Sequence, residues 1–157
     1  MPIRSEMHAF RAEGQPIGTP TTSVLARELT RDAVLGGSRT GRVAMSRDPI
    51  GPRLELRARA SDGHRAAIGD ELAIDPRGPL EVDWRIVGGR GMTARVVSVR
   101  GPEVADAIES GDAQRTVRVD PPDGGRPLRD HLRLDVVAAD GTLTELTNPI
   151  HLGPVSR

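Results

Sequence analysis

The chain has 157 residues, with basic and acidic residues balanced at 22 each, every basic residue an Arg, and no Cys. The balance removes a global field toward nucleic acid or anionic lipid, and the lack of thiols excludes disulfides, zinc ribbons and cysteine nucleophiles. With one Phe (Phe10), one Trp (Trp84) and no Tyr, the core has to come from Leu, Val, Ile and Ala, while 18 Gly and 13 Pro favour turns and short strands.

Residues 1–24 read as loop. Gly14, Pro16, Gly18 and Pro20 break any period. A helix is predicted from Thr30, an adequate N-cap, with Asp32 in the first turn and Gly41 as its stop. Gly36 and Gly37 weaken its interior, so it needs packing partners.

After Gly41 the period falls to two. Residues 42–46 form a short strand, and Pro49, Gly51 and Pro52 a turn. From Arg53 to Ala60 the alternation places Leu54, Leu56, Ala58 and Ala60 on one face and Arg53, Glu55, Arg57 and Arg59 on the other. Residues 80–86 repeat the pattern, with Leu80, Val82, Trp84 and Ile86 inward. The loop Gly88-Gly89-Arg90-Gly91 is no phosphate cradle, because no helix and no Lys-Ser/Thr pair follow it. Residues 93–99 are a strand. Residues 103–109 fit a helix or a ragged strand equally. Residues 116–119 and 132–138 are strands, Asp140-Gly141 a hairpin turn, and 143–152 the returning strand, interrupted at Asn148-Pro149.

About seven strands thus fill residues 42–152. The expected class is mainly β: an antiparallel β-sandwich over 42–157, preceded by a loop and one short helix over 1–41. No apolar run approaches the ~20 residues of a membrane span, and the N-terminus carries no apolar signal segment. A cytoplasmic protein is expected, with neither nucleic acid nor membrane as partner.

Four histidines are present: His8, His64, His131 and His151. His131 and His151 read as ordinary strand residues and His64 as a solvated turn residue. His8 differs, because Glu6 stands two residues before it in Ser5-Glu6-Met7-His8, an acid–histidine spacing suited to metal ligation. No G-x-S-x-G elbow occurs, and two aromatics cannot build a stacking platform for bases or sugars.

Three stretches carry a resemblance. SEMHAFRAEGQPIGTPTTSVLA resembles the end of the catalytic barrel in PHP-domain metallohydrolases, within the CehA/McbA carbaryl-hydrolase-like branch, where Ser-Asp-x-His precedes Gly-x-Pro-x-Thr. TRDAVLGGSRTGRVAMSRDPIGPRLELRA is similar to the helix and strands that follow that barrel, and LRLDVVAADGTLTELTNPIHL to its closing strands. The motifs are most specific at residues 17–22, 39–56 and 140–152.

The resemblance implies that Glu6, in place of the family's Asp, and His8 are the last ligands of a divalent metal site (zinc, manganese or iron). The other ligands would lie on a barrel outside this sequence. It implies a non-catalytic C-terminal accessory sandwich that packs against a catalytic barrel or forms a homo-oligomer, with an apolar docking surface expected in residues 1–30. The alternative it allows is a metal-dependent phosphoesterase whose site another subunit or missing N-terminal residues complete. Two ligands in a loop leave a coordination shell open, which weakens metal binding.

Overall fold

The computed structural model describes residues 19–75, 78–120 and 130–154. Glu6 and His8 therefore lie outside the described residues, as do residues 121–129.

The single helix among the described residues forms where its caps place it. Helix α1 (Arg31–Arg39) starts at Thr30, whose Oγ1 accepts from the Ala33 amide at 3.3 Å. It ends at Gly41, which adopts φ +73. The Gly41 amide bonds the Ser38 carbonyl at 3.2 Å, and the Arg42 amide bonds the Gly37 carbonyl at 2.8 Å. This is the paired closure that a left-handed residue after a helix allows. Gly37 is the buried residue of the helix, and a Cβ there would meet the Leu25 carbonyl oxygen at 2.7 Å. Gly37, one of the two glycines that weaken the helix, thus lets it lie close on the chain at Val24–Leu25.

The rest is β. The strands are β1 (Thr21–Val24), β2 (Val43–Ser46), β3 (Arg53–Arg59), β4 (Arg65–Ala67), β5 (Glu71–Ile74) and β6 (Leu80–Val87). Then follow β7 (Thr93–Ser98), β8 (Gly101–Ala107), β9 (Asp112–Val119), β10 (Asp130–Val137), β11 (Leu143–Thr147) and β12 (Ile150–Pro154). They make two sheets. The smaller runs β4-β3-β6-β9, antiparallel throughout. In the larger, β10 is central: β7 and then β8 lie on one side of it. On the other side β12 pairs along Asp130–Leu132 and β11 along Asp135–Val137.

Alternation puts one apolar face of each sheet against the other. Leu54, Leu56, Ala58, Leu80, Val82, Trp84 and Ile86 come from the smaller sheet, Val96, Leu132, Leu134, Val136 and Ile150 from the larger, and all are buried. Trp84, 2% exposed, is a core residue. The outward face of the smaller sheet is a ladder of charges in which Arg59 pairs with Glu81, and Glu55 lies 3.7 Å from Arg85. The mainly β class and the sandwich architecture expected from the alternation are what the chain adopts.

Several local expectations differ from what forms. Residues 21–24, read as loop, are the edge strand β1 and pair with β2 from Thr21↔Ser46 to Val24↔Val43. Of the ambiguous 103–109 stretch, residues 103–107 belong to the strand β8, paired to β7 at six positions, so sheet pairing overrides the helical spacing of its apolar residues. The strand expected at 116–119 extends over Asp112–Val119 along the whole of β6. Strands β4 and β5 have three and four residues, too short to show a period.

The interruption at Asn148-Pro149 changes a strand's partner. Before it, β11 pairs with β2; after it, β12 pairs in parallel with β5. Pro149 has no N–H to give a ladder. Its carbonyl instead accepts from the Gly69 amide at 3.0 Å, and the Asn148 amide donates to the Val43 carbonyl at 2.9 Å. Thr147 Oγ1 accepts from the Leu134 amide at 3.0 Å.

Candidate functional site

The strand register brings together residues that lie far apart in sequence. Ser46 and Glu145 are opposite one another on β2 and β11. Both face inward, because Glu145 is also opposite Val136 in the core. This leaves a carboxylate, 3% exposed, at one end of the sandwich. Thr144 Oγ1 lies 2.6 Å from Glu145 Oε2, and Ser46 Oγ lies 3.2 Å from Oε1. The turn after β2 closes over it: the Gly51 amide bonds the Asp48 carbonyl at 3.0 Å, and a Cβ on Gly51 would come within 2.7 Å of Glu145 Oε1.

Glu145 lines a cavity of about 790 Å³ at this end. Ile50, Pro52, Val87 and Met92 supply apolar wall, and Arg47, Asp48 and Arg90 polar wall. The entering chain contributes Thr19 and Pro20. Ile50 stands at the cavity 91% exposed. The Gly88-Gly89-Arg90-Gly91 loop also borders it, and the loop's glycines at 88, 89 and 91 all have positive φ. A Cβ on Gly89 would press Pro52 Cγ at 3.0 Å, so this loop is a packing turn against Pro52.

The residues singled out in the sequence fall elsewhere. Glu6 and His8 are outside the described residues. His64 is exposed, its Nδ1 2.9 Å from Asp62 Oδ2, and this contact together with the His64 amide holds the Asp62 carboxyl below the usual carboxylate range. His131 and His151 are opposite one another on β10 and β12, with Glu71 next in the row on β5. Nevertheless, among the described residues no group of three or more His, Asp or Glu is gathered to hold a metal ion. Among the described residues, too, no helix is long and apolar enough to cross a membrane.

Glu145 carries no signal in the sequence. It sits in Leu143-Thr144-Glu145-Leu146, where alternation alone gives it either face. Only the register with Ser46 and Val136 places it inward. Compared with family models, curated proteins and solved structures, the chain matches none.

Proposed function

We propose that this chain is a non-catalytic accessory β-sandwich of a PHP-like metal-dependent hydrolase, which packs against a catalytic barrel or a second copy of itself through its cavity end. The observation that carries the reading is the placement of Ile50. A large aliphatic side chain, 91% exposed, stands beside an open apolar concavity that the entering residues Thr19 and Pro20 also line. Covering one such side chain contributes about 1.5–3 kcal/mol, which favours a partner at this end. The expected docking region within residues 1–30 is thereby widened to the turn at 47–52. The sequence resemblance supplies the family, and the expected ligands Glu6 and His8 would belong to the barrel's metal site.

The test is sedimentation velocity on the chain and on Ile50→Asp, with elemental mass spectrometry and phosphoester assays on the chain and on His8→Ala. Concentration-dependent association weakened by Ile50→Asp, without metal-dependent hydrolysis, supports the accessory reading. A monomer at every concentration, unchanged by Ile50→Asp, removes the homo-oligomer arm. Near-stoichiometric zinc, manganese or iron lost in His8→Ala, together with phosphoesterase activity, replaces the reading with a hydrolase whose site is completed by another subunit.

A further inference from the structure

Burying a carboxylate is costly unless a cation or enough hydrogen-bond donors meet it. Glu145 is 3% exposed, and among the described residues no basic group lies within ion-pair distance of it. Its contacts are the hydroxyls of Thr144 and Ser46. Each hydroxyl has one proton, and each has a second acceptor in reach. Ser46 Oγ lies 2.6 Å from the Asp48 carbonyl, and Thr144 Oγ1 lies 3.0 Å from the Val136 carbonyl. Two protons therefore serve two carbonyls and a carboxylate able to accept about four hydrogen bonds. Gly51, packed against Oε1, has no side chain with which to add a donor. The cavity is the side from which donors and positive charge can still come.

We infer that Glu145 is the anchor for one arginine side chain, which the docking partner inserts into this cavity; the inference rests on the docking reading above. Charge complementarity defines the occupant. Arg47 and Arg90 also line the cavity and are exposed, so their charges oppose a run of basic residues. A single cation flanked by neutral or acidic groups satisfies Glu145 and both arginines. An Arg seated in an apolar-walled pocket is a common energetic centre of protein interfaces.

The experiment follows the amide resonances of the full ¹⁵N-labelled chain during titration with N-acetyl-arginine amide. N-acetyl-citrulline amide, its neutral isostere, and methylammonium are titrated at the same ionic strength. The arginine compound is expected to shift the amides of Ser46, Gly51, Gly88 and Gly89 saturably, at least ~10-fold more tightly than the citrulline compound, a difference of about 1.4 kcal/mol. Glu145→Gln, which keeps the size but removes the charge and turns one acceptor oxygen into an N–H donor, is expected to abolish the saturable shift. Equal binding of the arginine and citrulline compounds, or no saturable shift, overturns the inference without recourse to any variant. Unchanged binding in a folded Glu145→Gln also overturns it. Tighter binding of methylammonium than of the arginine compound overturns it in favour of a small free cation. None of these outcomes alters the Ile50→Asp result, so failure of the anchor and failure of the docking reading are separable.

Discussion

The side-chain amide of Asn148 donates to the carbonyl of Gly41 at 3.0 Å, across 107 positions of sequence. It ties the closing residue of helix α1 to the point where β11 gives way to β12. The Gly41 carbonyl also accepts from the Val43 amide at 2.8 Å, so Asn148 supplies its second hydrogen bond. Replacing Asn148 with Ala leaves a half-buried acceptor without this donor. Because the Val43 amide still serves that acceptor, the loss is that of one net hydrogen bond, about 0.5–1.5 kcal/mol, read as a lower urea midpoint with an unchanged m-value.

Gly69 passes the same place. It holds φ +82, and a Cβ there would run into the Thr40 carbonyl oxygen and come within 2.5 Å of the Gly41 carbonyl carbon. Gly63 is a useful contrast, with φ +92 and nothing near its missing Cβ. Gly63→Ala should cost only the backbone term, roughly 1–2 kcal/mol. Gly69→Ala adds a collision with backbone, so its cost is expected to exceed that of Gly63→Ala by about 1–3 kcal/mol in parallel denaturation curves.

Trp84 is the sole Trp and is 2% exposed. Its emission is expected at short wavelength and shielded from iodide in the native chain, with a red shift that follows unfolding. Trp84→Ala opens a cavity between the sheets and is expected to cost about 3–5 kcal/mol. A solvent-like emission maximum under native conditions would contradict the inward placement of Leu80, Val82, Trp84 and Ile86.

Asp140 tests the hairpin between β10 and β11. Its carboxyl is held below the ordinary range mainly by the Thr142 amide, which donates to Oδ1 at 2.9 Å, and further by the Thr142 hydroxyl. A carboxyl with a depressed folded-state pKa contributes stability above its unfolded pKa of about 3.9 and loses it as pH falls through the folded value. The stability difference between the wild type and Asp140→Ala should therefore be full near neutrality and shrink below about pH 4. Denaturant midpoints across that range measure it; a difference that grows on acidification would reverse the sign. Asp62, lowered by His64, should behave in the same direction.

The parts of the fold that were legible in the sequence are those where one face is wet. Along Arg53–Arg59 and residues 80–86, charge and apolarity alternate without a break, and both strands form with the expected face inward. The helix was legible because Thr30 and Gly41 are cap residues with local mechanisms. What escaped was set by distant pairing. Thr21–Val24 is a strand only because β2 offers an edge, and β4 and β5 are defined by their neighbours more than by their own residues. The cavity escaped for the same reason, because an acid in an alternating strand gives no sign of which side it faces. Glu6 and His8 were the most legible chemistry in the chain and lie outside the described residues.

The central position of β10, and the strand that changes partner at Asn148-Pro149, also set the order in which the fold can be completed. The larger sheet takes its middle from residues 130–154, which the ribosome makes after the other described strands. Before they emerge, the β1–β2 pair, β5 and the β7–β8 pair have no common neighbour, and the ladder from β2 to β5 runs through β11, β10 and β12. The sandwich therefore closes from its last-made strands outward. Its early segments must wait with open hydrogen-bonding edges, which makes synthesis the stage at which this chain is most exposed to wrong pairing.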